Sequence, residues 1–258
     1  MYDPDSPLQH GITPPTGLPE PLAKARFAEE RLTDAVICCL IAPGETISEA
    51  NVMERFGLTR AAARAALTRL GHDGWARPLA RAGWEILPVT GNLIGQVLEA
   101  RRVAEPAAMA RGVLDPARRE KLDGLRGMIA AVGQQADPAA RKTMESFVTE
   151  AETLLLGAAD PFTARHVNAL WQHTARIARH LAVEDPIAAF RRDQAPALIA
   201  AALNDDRAGI AAQRTALVDM QEGVFLRALL TNEAALGPGS GSGHRHAHQT
   251  AVHNGSTI

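Results

Sequence analysis

"GLTRAAARAALTRLGHDGW", residues 57–75, is a run of alanines and leucines from which arginines stand out at 60, 64 and 69. Alanine, leucine and arginine are strong helix formers, so the stretch predicts a helix that needs no help from its neighbours. Thr59 is placed to cap it and Gly57 to make the turn before it. Upstream, Ser48 can cap a short helix running to Phe56, and a longer helix is predicted from Leu22 to Ile41, ending at "APGETIS". Downstream, "ARPLARAGWEILPV" has the apolar, turn, apolar character of a small hairpin with Ala82 and Gly83 near its tip. Helix, helix, turn, helix, hairpin over residues 21–87 is the winged helix-turn-helix plan.

Beyond "LPVTGN" at 87–92, where Pro88 and Gly91 predict a hinge, the pattern changes. Asp-Pro occurs at 115–116, 137–138, 160–161 and 185–186, each time ahead of a helix-periodic segment. Aspartate accepts from the free amides of a first turn, and proline at the first helical position gives up only an amide without a partner. Each pair is read as a helix start. With a segment from 92 to about 111 and a last one from Asp206 to Leu230, this predicts six helices and no strand. The fold class is therefore mainly α, a winged helix-turn-helix domain at 21–87 and an all-α six-helix bundle at 92–236. Residues 1–20 and the Gly/Ser/His tail 237–258 are predicted to be disordered extensions.

Composition agrees with a folded protein. The chain has 258 residues, 46% hydrophobic, and a formal charge of -2, which excludes a uniformly basic nucleic-acid coat but not a local patch. From Thr59 to Trp84 there are five arginines and one acidic residue, Asp73. That is a local basic patch of the kind DNA needs. Cys38 and Cys39 lie in "AVICCLI", which suits buried free thiols in a reducing compartment. With no signal-peptide pattern and no apolar run of about 20 residues, the chain is read as cytoplasmic with no membrane partner.

The segment "PGETISEANVMERFGLTRAAARAALTRLGHDGWARPLARAGWEI" resembles the winged-helix regulators of the GntR family, with their Pro-Gly, short helix, Gly-x-Ser/Thr-Arg, x-x-x-Arg, Asp/Glu-Gly pair and wing glycine. "EARRVAEPAAMA" is similar to the Arg-x-x-x-Glu segment, here Arg101 and Glu105, that opens the helical FCD-type effector domain of the FadR-like subgroup. The resemblance implies a homodimeric, ligand-responsive transcription regulator, a repressor of a metabolic operon released from a short palindromic operator by a small organic effector.

Arg60 and Arg64 are four apart on the predicted recognition helix, whose N-terminal end enters the major groove. They match the family's recognition arginines, and Gly83 its wing glycine, where the backbone approaches the minor groove. Thr59, Arg60, Arg64, Arg81 and Gly83 are the candidate DNA-binding residues. Arg69 lies later in the helix, and Trp75 is read as a core anchor. Ala61, Ala62 and Ala65 stand where relatives often have groups that hydrogen-bond a base edge. Base reading must then fall on few side chains.

Many relatives bind a divalent metal in the helical domain. Here the corresponding positions read Phe147, Ala151, Ala195 and Leu217, none able to ligate, so no metal and no cofactor are expected. On the helix from Pro161, His166, His173 and His180 repeat every seven residues in the sector of Phe162, Leu170 and Ile177, predicted to face the bundle interior. One reading is histidines packed in the core. The other is a polar lining for an effector cavity, with Arg101, His166 and His173 as effector-binding residues, the alternative for Arg101 being a pair with Glu105 one turn later. Histidines seven apart are too far along a helix axis to share a metal. The tail histidines at 244, 246, 248 and 253 carry no site.

No glycine-rich phosphate loop, Gly-x-Ser-x-Gly, His-Glu-x-x-His or Cys-x-x-Cys is present, so no enzymatic activity is expected. The alternatives are a DNA-binding architectural protein without a ligand and an all-α enzyme with hidden carboxylates.

Overall fold

The computed structural model describes residues 20–80, 82–133 and 137–231. The element order is α1 (Glu20–Ile37), β1 (Thr46–Ile47), α2 (Glu49–Phe56), α3 (Arg60–His72), β2 (Ala76–Leu79), β3 (Gly83–Ile86), α4 (Gly91–Arg111), α5 (Pro116–Val132), α6 (Pro138–Leu156), α7 (Pro161–His180), α8 (Glu184–Leu203) and α9 (Arg207–Thr231). This is a winged helix-turn-helix followed by six helices.

In the N-terminal part the caps act where the sequence placed them. Ser48 accepts from the amide of Asn51, whose side chain accepts from the Ser48 amide, a reciprocal pair. Gly57 closes α2 in the left-handed region at φ 64°. Thr59 then caps α3 by accepting from Ala62. Helix α3 buries Ala63, Ala66, Leu67 and Leu70 against Leu32 and Val36 of α1, with Trp75 and Ile86 completing the core. Trp75 is 4% exposed, the predicted anchor.

The sheet has one strand more than the predicted hairpin. Thr46 and Ile47 pair antiparallel with Glu85 and Trp84, giving the order β1-β3-β2. Two residues are too few to show alternation, so only the approach of β3 reveals this strand. Helix α1 also ends earlier than predicted, because Cys39 turns into the left-handed region at φ 55°.

Among the Asp-Pro pairs, Asp115, Asp137 and Asp160 each cap a helix with proline behind them. Such caps contribute about 1 kcal/mol each. The fourth pair differs. Helix α8 starts at Glu184 behind Val183, which makes no side-chain cap, so Asp185 and Pro186 lie inside the first turn. Pro186 is still harmless there, since first-turn amides have no partner within the helix.

The bundle has two apolar clusters, one around Leu122, Val148, Val167 and Ile199, the other around Ile94, Leu98, Ile177, Val218 and Phe225. Along α4, Leu98 belongs to one and Ala108 to the other, with buried Arg101 and Glu105 between them. Residues 87–92, read as a hinge, make contacts on both sides. The Leu87 amide donates to the Trp75 carbonyl, the Leu87 carbonyl accepts from Arg176 of α7, and Val89 is buried in the bundle's second cluster. No helix among the described residues is long and apolar enough to cross a membrane.

Candidate nucleic-acid interface

Burying Ala63, Ala66, Leu67 and Leu70 leaves Arg60, Ala61, Arg64 and Thr68 on the outer face of α3. Arg60 and Arg64 therefore project together from the N-terminal half of the helix. Arg64 is not free. Its Nε donates to Glu49 at 2.7 Å and a second nitrogen donates at 3.2 Å, a fork across the α2 to α3 turn. These hydrogen bonds hold the Glu49 carboxyl below its ordinary range and raise Arg64. Arg69 donates to Asp73 at 2.8 Å, and exposed Arg77 on β2 pairs with Glu85 on β3. The patch is thus basic but partly self-compensated.

Gly83 has a duty inside the sheet. At φ 97°, a Cβ added there would lie 2.4 Å from the Ile47 carbonyl oxygen. The close approach of β1 to β3 accounts for this glycine without DNA. Arg81 falls outside the described residues.

The three residues expected to bind an effector do not form one site. Arg101 lies 2% exposed inside the bundle, donating to Glu105 at 2.6 Å, to Thr174 at 3.2 Å and to Gln221. His166 is exposed, on a shallow surface groove between α4 and α7. His173 lies at the seam between the domains, its ring stacked on Trp75 with centroids 3.9 Å apart. The expectation that these histidines face the bundle interior is corrected. Leu170 and Ile177 are buried, but Phe162 in the same sector is 83% exposed. A seven-residue repeat drifts about 20° per heptad on an α-helix, and a shared sector does not fix what covers each turn.

The bundle interior instead holds an ionic cluster that sequence reading missed. Arg214 donates to Glu105 at 2.8 Å and to Glu152 at 2.6 Å, and its guanidinium lies 5.5 Å from the Trp171 ring centroid. Arg191 donates to Glu152 and to Thr149. Burial pushes the Glu105 carboxyl up, but Arg214 and Arg101 beside it outweigh that and hold it at about 2. Glu152 is lowered by the same balance, with Arg214 and Arg191 against burial. Ionisable residues at core-phase positions of α4, α6 and α9 are the signal that could have pointed to it.

The metal positions inferred from the resemblance do not fit a metal. Ala151, Ala195 and Leu217 are buried and Phe147 packs against the apolar core. No group of three or more metal-ligating side chains comes together among the described residues.

A winged helix-turn-helix joined to a six-helix bundle has counterparts among solved structures. It superposes on E. coli McbR/YncC with TM-score 0.64 and 15% identity, over 80% of this chain and 98% of that one. With a GntR transcriptional regulator from Rhodococcus sp. RHA1 the TM-score is 0.56 at 17% identity, over 80% and 98% of the two chains. At such identity the likeness is one of fold. No protein-family model matches the chain, and no curated protein matches it.

Proposed function

We propose that the chain is a DNA-binding transcription regulator of the GntR type, FadR-like in its helical domain, which acts as a homodimer on a short palindromic operator and represses a metabolic operon until a small organic effector releases it. The observation that carries this reading is the outer face of α3, where Arg60 and Arg64 stand one turn apart behind a Thr59 cap and beside a wing. Arginine so placed can pair bidentately with guanine or hold phosphate. Arg81, between β2 and β3 in the sequence, and Gly83 belong to the same proposed contact surface.

The second reading, a DNA-binding protein without a ligand in its bundle, is favoured by one observation. Arg101, the charge an acidic effector would need there, is already paired with Glu105.

Duplexes selected from a randomised pool by the full chain supply the test. They should be enriched in a short inverted repeat, and binding should fall steeply with salt. Arg60→Ala and Arg64→Ala should each weaken binding roughly ten- to hundredfold. Parent-like binding by both variants, with unchanged circular dichroism, removes the assignment.

A further inference from the structure

Three arginines are buried among the described residues: Arg101, Arg176 and Arg214. Arg101 and Arg214 are matched by Glu105 and Glu152. Arg176 on α7 has no carboxylate. One of its nitrogens donates to the Leu87 carbonyl, while Nε and Nη1 are buried with no hydrogen-bond partner. Glu184, at the start of α8, is taken by Arg179 at 2.9 Å. A buried guanidinium without a counter-charge is costly, because desolvation is not repaid by an ion pair or by full hydrogen bonding.

One turn before Arg176, the Nδ1 of His173 is also buried without a partner. The two side chains thus leave three nitrogens unmet along the seam between α7 and the winged domain. Trp75 stacked on His173, the linker carbonyl of Leu87 and the thiol of Cys39, 3.7 Å from the Arg176 carbonyl, close that place on the winged side. His173 keeps part of its surface in water, which marks where the seam opens to solvent.

We infer that this interdomain seam is a binding site for a small monoanionic ligand, a carboxylate, which accepts from an unpartnered nitrogen of Arg176 and from Nδ1–H of His173. The guanidinium charge, unmatched by any carboxylate of the protein, suits an anion that accepts a charge-assisted hydrogen bond. Burial, and then Arg176, lower His173 to about 4, so its ring is neutral near pH 7 and donates one N–H. Because Arg176 is sealed from water when the seam is closed, the ligand enters only as the winged domain shifts on α7. A ligand that binds the shifted arrangement better biases the position of α3, and so couples to DNA. That last consequence rests on the DNA-binding reading; the site itself does not.

The experiment compares sodium acetate with sodium chloride at equal ionic strength on the full chain. Acetate should raise the melting midpoint of the parent by several degrees over chloride and leave Arg176→Met unmoved, since only a ligand of the folded state shifts it. An equal rise in Arg176→Met, or none in the parent, overturns the site. Should Arg176→Met fail to fold, the His173 ring signals in the parent decide: they move on acetate titration if the site exists, and unmoved signals overturn it. If acetate binds through Arg176 but no duplex binds the chain, the site stands and the regulator reading falls.

Discussion

Trp75 of the winged domain lies flat on His173 of α7, ring centroids 3.9 Å apart and planes 22° from parallel. This stack joins the turn after α3 to the middle of a bundle helix, so the position of α3 is tied to the protonation state of one imidazole. Folding lowers His173 from its ordinary 6.5 to about 4, first by burial and then by Arg176. The unpacked state therefore binds the proton more tightly, and the stabilisation of the seam is present above pH 6.5 and lost as pH falls from 6.5 to about 4. The loss should be on the order of 3 kcal/mol. Stability curves from pH 7 to 5, above the range where carboxylates dominate, should flatten in His173→Phe; an unchanged slope sinks this account.

The fork from Arg64 to Glu49 sets up a second expectation. Glu49 fixes the direction of Arg64 but puts a negative charge where phosphate would approach. Glu49→Gln should strengthen binding to random duplex by about three- to tenfold and narrow the preference for the selected operator. Fluorescence anisotropy on both duplexes reads the two effects. Weaker binding to random duplex would show that Glu49 acts only by positioning Arg64.

In the bundle, Arg214 bridges Glu105 and Glu152. Arg214→Met should cost about 3 kcal/mol, because two buried carboxylates each lose one of their two cationic partners, Glu105 keeping Arg101 and Glu152 keeping Arg191. Glu105 is held at about 2 against an ordinary 4.5, so its contribution is present above pH 4.5 and lost as pH falls from there towards 2. Glu105→Gln should lower stability at pH 7 and remove that part of the acid dependence. Denaturant midpoints at pH 7, 4 and 3 test both, and an unaltered acid limb in Glu105→Gln would contradict the pairing.

At the wing, Gly83→Ala meets both a left-handed φ of 97° and the Ile47 carbonyl. A cost on the order of 2–3 kcal/mol is expected. It should show as a lower melting midpoint in the absence of DNA. A defect in DNA binding alone, with unchanged melting, would instead favour a groove contact at Gly83.

Local chemistry determined much of this protein from sequence alone. Alanine-rich helix propensity, the hydroxyl caps at Ser48 and Thr59, the turn at Gly57 and the Asp-Pro starts at 115, 137 and 160 act within one turn of chain, so the winged domain and the helix sequence of the bundle were legible. Arg60 and Arg64 share a face by helix geometry, and burial of Ala63 and Leu67 turns that face outward. Tertiary packing decided the rest. Whether Arg101 is an open charge or a paired one depends on Glu105, Thr174 and Gln221 on three helices. A two-residue β1 exists only because β3 arrives beside it. His166 and His173 share a helix sector but not an environment, since the first looks onto a surface groove and the second onto Trp75 of the other domain. Periodicity gives a side chain's direction around its own helix. What it meets there is set by elements distant in the chain, which is why the seam around Arg176 could be seen only in the folded molecule.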